Sequence, residues 1–369
     1  MPLTPALSAY LDFLRFFAAF AVLLGHLKQD GFALDWMPLA HLSHEAVTVF
    51  FLMSGYIITS STRARPDAGW REYAVARVSR IYSVALPAVL FSLLVSEAVG
   101  RWAPEVAAQI ASYRAFAWVD VVGSLLFWNE SWSSETQVSL NAPYWSLCYE
   151  VWYYVLFGLW FFVRGPWRWP LVALAALVAG PAILALFPIW MLGAWLALNP
   201  DRLPRPGAVA GPLVWLLAPT LIWLLSESGV EHVIKDALHE NVPGFWRLEA
   251  SQRLITDHLI GLLLAAHLWA WGGLPQWLQQ MWQRRAGFWA AWAGFSFTLY
   301  LFHRPLTYVA GKGLGAAADN VALSIAAALL GLLVCWLFAF GTERQLPRWL
   351  RAVRRWLPGG PPAVAAPRT

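Results

Sequence analysis

The chain reads as an all-α, polytopic membrane protein with about ten transmembrane helices and both termini on the cytoplasmic side. Composition is the first reason. Of 369 residues, 59% are hydrophobic and only 13% are charged, about half the charge of a soluble domain. A soluble chain of this length has no core large enough to hide that apolar surface. The second reason is a series of apolar runs separated by short charged loops, and the third is where the arginines fall. The 25 tryptophans agree, because amphipathic rings collect at water–lipid boundaries. Disordered, collagen-like and disulfide-stapled chains are excluded on the same figures.

A helix needs about 20 apolar residues to cross a bilayer of ~30 Å. The runs that qualify are 10–27, 45–61, 78–99, 144–163, 169–181, 182–198, 212–226, 254–272, 288–309 and 320–341. The first carries Asp12 and Arg15 and lacks a basic lead or a small-residue cleavage site, so a retained helix is expected rather than a signal peptide. The fifth and sixth are divided only around Pro181. The stretch 116–128 is too short to span and is expected to lie at the interface or re-enter. The loops 100–143 and 227–253 carry more acids than bases and are too small to fold as domains.

Orientation follows from the basic residues. With a cytoplasmic N-terminus, 17 of the 26 fall on inner segments, among them Arg63, Arg65, Arg71, Arg77 and Arg80, and eight fall outside. That asymmetry matches the positive-inside bias. One membrane domain, 1–343, is expected, followed by a tail, 344–369, that is basic, then Pro/Ala/Gly-rich, and flexible. The net charge of +5 is therefore read as topology, not as a nucleic-acid surface. Cys148 and Cys335 lie inside apolar runs. No metal-ligand spacing, P-loop, GxGxxG, HExxH or GxSxG motif is present.

Ionisable residues within spans are costly, and each is a functional candidate. Arg15 and His26 are eleven residues apart in LDFLRFFAAFAVLLGH. Eleven steps of ~100° come to about three full turns, with a rise of ~16 Å. Both therefore face one way, either as a polar track into the bundle or as residues reaching separately for the two interfaces. Arg77 and Arg80 share a helix face at i, i+3. They are either phosphate ligands or inner anchors. Glu150 sits one and a half turns inside the fourth span among aromatics. It must be paired, hydrogen-bonded or protonated, and Arg15 or His26 is the economical partner. His303, Glu343, His267 and Asp257 serve packing and capping at least as readily as chemistry. Cys148 is a small buried hydrophobe more readily than a nucleophile.

Five elements in order give the chain a resemblance to the acyltransferase-3 family of polytopic membrane O-acyltransferases. They are Arg15 and His26 in the first span; Phe50, Phe51, Ser54, Gly55 and Tyr56 in the second; Arg77 and Arg80; Trp145, Ser146, Leu147 and Glu150; and Ser296, Leu299, Tyr300, Leu301, His303 and Pro305. Glu343 matches an acid often found after the last helix. Val151 stands where many members have a second acid, and Arg304 where an aromatic is common.

The resemblance implies transfer of an acyl group, usually acetyl, from acyl-CoA to a hydroxyl of a carbohydrate or lipid-linked glycan. It implies a multi-pass protein of the bacterial cytoplasmic (inner) membrane. His26 would be the general base and Arg15 would hold an anionic part of the donor. Glu150 would orient His26 or balance Arg15. Arg77 and Arg80 would meet the phosphates of acyl-CoA, a co-substrate rather than a permanent cofactor. Trp145, Ser146, Tyr300, His303 and Glu343 would support substrate or structure, His303 by steadying an oxyanion or binding acceptor. No metal and no nucleic-acid partner are expected. The rival from another class is a transporter or flippase of a lipid-linked or anionic solute using the same buried charges.

Overall fold

A computed structural model describes residues 3–132, 136–314 and 320–357. Among these every regular element is helical. The principal helices are α1 (Pro5–Gln29), α2 (Glu45–Arg63), α3 (Trp70–Trp102), α4 (Trp145–Phe162), α5 (Arg168–Ala179), α6 (Pro181–Leu198), α7 (Ala210–Glu227), α8 (Leu254–Ala270), α9 (Ser296–Leu314), α10 (Val321–Ala339) and α11 (Leu346–Trp356).

The sequence explains the helix ends. Thr4 caps α1, its hydroxyl accepting the Leu7 N–H at 3.2 Å, and Pro5 occupies the first turn. Gly180, with φ of 86°, separates α5 from α6, and Pro181 starts the second helix. The α5 helix has 12 residues. At ~1.5 Å each it rises about 18 Å, short of a full crossing.

A helix covers each of the ten expected segments, but among the described residues six helical segments are long and apolar enough to cross a membrane by length and composition. Those containing α2, α4, α5 and α9 fall outside that set. The first holds several Ser and Thr, α4 is rich in Trp and Tyr, α5 is short, and α9 carries His303, Arg304 and Lys312. The expected span 288–309 is not continuous: a short helix, Ala286–Ala293, ends before Gly294, and α9 begins at Ser296. The stretch 116–128 contains an eight-residue helix, Trp118–Leu125, and the loop after it comes back against α4. The Phe127 carbonyl accepts from Cys148 Sγ at 2.7 Å and from Trp152 Nε1 at 3.0 Å.

The closest crossing is α2 on α6. A Cβ on Gly55 would lie 2.0 Å from the Trp190 carbonyl oxygen, and one on Gly193 would lie 1.9 Å from that of Leu52. Two glycines thus let the backbones touch, where dispersion and backbone contact replace the hydrophobic effect as the force between helices. The glycine of the Ser-Gly-Tyr element is a packing residue.

The tail also departs from expectation. Residues 346–356 form α11, with Leu346, Trp349, Leu350 and Val353 half-buried on one face. Arg348, Arg351, Arg354 and Arg355 are exposed, and Arg354 pairs with Glu72 of α3 at 2.7 Å. The Pro/Ala/Gly-rich end, 358–369, lies outside the described residues.

Candidate active site

Polar side chains from α1, α3, α4 and α9 meet in one cavity of about 350 Å³, lined by Arg15, Arg77, Arg80, Glu150 and Tyr300 among others, with Leu346 and Leu350 of α11 on its wall. Its size is at the lower end of small-molecule sites, ~300–1,000 Å³.

The two arginines of α3 differ in state. The Arg77 guanidinium carbon lies 5.9 Å and 5.7 Å from the ring centroids of Tyr73 and Tyr154, and its buried Nε has no hydrogen-bond partner among the described residues. The aromatic faces hold the cation and leave donors for a ligand. Arg80 is already engaged, its Nη1 2.6 Å from Glu343 Oε1. The other oxygen of Glu343 accepts the N–H groups of Phe297 and Thr298, each at 3.1 Å. A carboxylate there satisfies two free donors of the first turn of α9 and complements its positive end.

Glu150 does not bond to Arg15 or to His26. Its Oε1 accepts from Ser54 Oγ at 2.8 Å and from the Tyr154 hydroxyl. Arg15 instead has Asp12, one turn earlier, at 3.5 Å. Glu150 and Arg15 share the cavity without direct contact, so the expected orienting of His26 by Glu150 is replaced by another arrangement.

The Ser146 and Tyr300 hydroxyls are 2.7 Å apart, each 3.2 Å from the Pro143 carbonyl, and both line the cavity. Tyr300 and His303 rings are 6.4 Å apart. His303 is fully buried and meets His26, Nε2 to Nδ1, at 2.7 Å, with the rings 15° from parallel. Arg15 thus lines the cavity, whereas His26, eleven residues along the same helix, sits beyond the Tyr300–Ser146 pair. Beside His303, Arg304 reaches Asp30 at the end of α1 at 2.5 Å. Trp145 faces Tyr149 and His44, with centroids 5.0 Å and 6.5 Å away.

Two groupings escaped the sequence reading. Tyr154 stands four residues after Glu150, on the same helix face, and completes the shell of that carboxylate with Ser54. His44 donates to the fully buried Asp257 at 3.0 Å, and Arg253 pairs with Glu45 at 2.7 Å. The acid of α8 was visible in the sequence. Its partner lay more than two hundred residues away, at the start of α2, without a local signal.

Fold and site together define a helical membrane protein that gathers its polar groups inside the bundle, around one cavity and a histidine pair of which His303 is fully buried and His26 half-buried. Residues 8–340 match the acyltransferase domain of the acyltransferase-3 family, and the chain belongs to that family. It is also 29% identical over 191 residues to Acyltransferase MdmB of Streptomyces mycarofaciens. That stretch takes in 47% of this chain and 46% of MdmB, so the match spans about half the length of this curated relative. No solved structure matches.

Proposed function

We propose that this acyltransferase domain moves an acyl group, acetyl the expected one, from acyl-CoA on the cytosolic face to a carbohydrate hydroxyl on the outer side of the bacterial cytoplasmic membrane. The observation that carries the reading is Arg77, a half-buried guanidinium held between two tyrosines with its buried Nε unspent, on the wall of a cavity whose Tyr300 ring lies 6.4 Å from that of His303. Arginine suits phosphate because its planar fork bonds two oxygens at once. A cavity of about 350 Å³ suits the acyl-pantetheine arm, with the nucleotide at the mouth.

In this reading His26 Nε2 accepts the proton of the acceptor hydroxyl as that oxygen attacks the thioester carbonyl carbon. The C–O bond forms, the C–S bond breaks, and the proton returns to the leaving thiolate to give free CoA and an ester. The paired hydroxyls of Tyr300 and Ser146 lie on the cavity wall, and one of them, turning from the Pro143 carbonyl it now meets, donates to the developing oxyanion. Arg80 and Glu343 hold α3 and α9 together so that these groups stay aligned.

Purified protein incubated with radiolabelled acetyl-CoA and a carbohydrate acceptor is expected to place label on the carbohydrate and release one free thiol per label. Uptake or flipping of a solute by reconstituted vesicles, with acetyl-CoA untouched, would overturn the reading in favour of transport.

A further inference from the structure

We infer that His303 is a positioning residue that fixes which nitrogen of His26 carries the proton, and so makes His26 a base. The inference rests on the transferase reading for its consequence but on hydrogen bonding for its logic. His303 Nδ1 lies 2.8 Å from the Leu299 carbonyl oxygen, one turn earlier on α9. A carbonyl oxygen only accepts, so Nδ1 of His303 bears the hydrogen. In a neutral ring the other nitrogen, Nε2, is then a bare acceptor. That nitrogen is the one 2.7 Å from His26 Nδ1, so His26 donates through Nδ1 and its own Nε2 keeps a free lone pair. Ring protons are thus assigned from their partners in sequence, from backbone to His303 to His26.

Neutral rings are the state the surroundings support. Among the described residues neither ring contacts a carboxylate. Asp30, at the end of the helix that carries His26, is taken by Arg304 at 2.5 Å. A doubly protonated His303 would be a fully buried cation without a counter-ion. It would also donate to His26 Nδ1, place the His26 hydrogen on Nε2 and remove the base. The backbone carbonyl here does what a carboxylate does for other catalytic histidines, setting the tautomer through the nitrogen away from the substrate. It acts one ring removed. No oxyanion contact or acceptor binding is needed to explain the fully buried position of His303.

The test has two independent arms. In full-length protein labelled with ¹⁵N-histidine, with His26 signals assigned by their loss in His26→Gln, the ring is expected as the Nδ1–H form with a bare Nε2. In His303→Leu, which leaves no acceptor, it is expected to shift toward the Nε2–H form. Finding the Nε2–H form of His26 in the unaltered protein would overturn the inference, whatever the activity. In the kinetic arm, His303→Gln keeps an acceptor oxygen near the former Nε2 and is expected within about tenfold of the parent kcat. His303→Leu is expected to lose ~10²–10⁴-fold, the range of a general base, with KM for acetyl-CoA unchanged. Equal kcat in the Leu and Gln variants, both folded, would also overturn it. Absence of any acyl transfer by the parent protein would instead remove the transferase reading and leave the tautomer result standing.

Discussion

The Glu343 carboxylate sits 2.6 Å from the Arg80 guanidinium while taking two backbone N–H groups from the start of α9. One buried acid after α10 therefore ties the arginine helix to the helix that carries Tyr300 and His303. Removing one partner of a buried ion pair costs ~3–5 kcal/mol. Arg80 is partly exposed, which places the expectation near the lower end. Glu343→Ala is expected to lower the thermal midpoint, and the double variant with Arg80→Ala to be less destabilised than the sum of the two. A Glu343→Ala midpoint equal to that of the parent would show that the link carries no weight.

Arg77 and Arg80 are predicted to separate experimentally although they share a motif. Losing one charged hydrogen bond to a ligand is worth about 1.5–3 kcal/mol, or roughly 10–150-fold in affinity. Arg77→Ala should raise KM for acetyl-CoA by that factor with little change in midpoint, because its Nε has no internal partner to strand. Arg80→Ala should show its loss first in stability. Parallel enzyme kinetics and thermal scans check this, and identical profiles for the two variants would contradict the assignment.

The glycine crossing gives a steric prediction. Gly55→Ala and Gly193→Ala each push a methyl within 2.0 Å of a carbonyl oxygen on the opposing helix, so α2 and α6 must separate. Both are expected to lose folded, monodisperse protein on size-exclusion chromatography. Gly287→Ala, where nothing lies within 4 Å, should be neutral or stabilising by about 0.5–1 kcal/mol, the usual helical gain. Equal yields for all three would mean the backbones do not touch as described.

Much of this was legible in the sequence. Apolar runs of helical length marked a helix over every expected segment, and sparse charge left Arg15, Arg77, Arg80 and Glu150 conspicuous. Those four do line one cavity. Pairing was less legible, because partners in a bundle come from distant segments. Glu150 found Ser54 and Tyr154, Arg80 found Glu343, and His26 found His303. The break at Gly294 is a long-range effect, since a carboxylate near residue 343 caps the helix that restarts after it. The order in 346–356 was readable from apolar residues at i, i+3, i+4 and i+7, but the arginines between them drew attention to charge instead.

The central claim is that His26 takes the acceptor proton while the cavity below it holds the donor. Its most direct test is the initial rate of acetyl transfer from radiolabelled acetyl-CoA to a carbohydrate acceptor, in reconstituted vesicles, for the parent and for His26→Ala at matched folded protein. The account predicts a loss of at least ~10²-fold in the variant, with acetyl-CoA binding unchanged. Transfer by His26→Ala at the parent rate would contradict it.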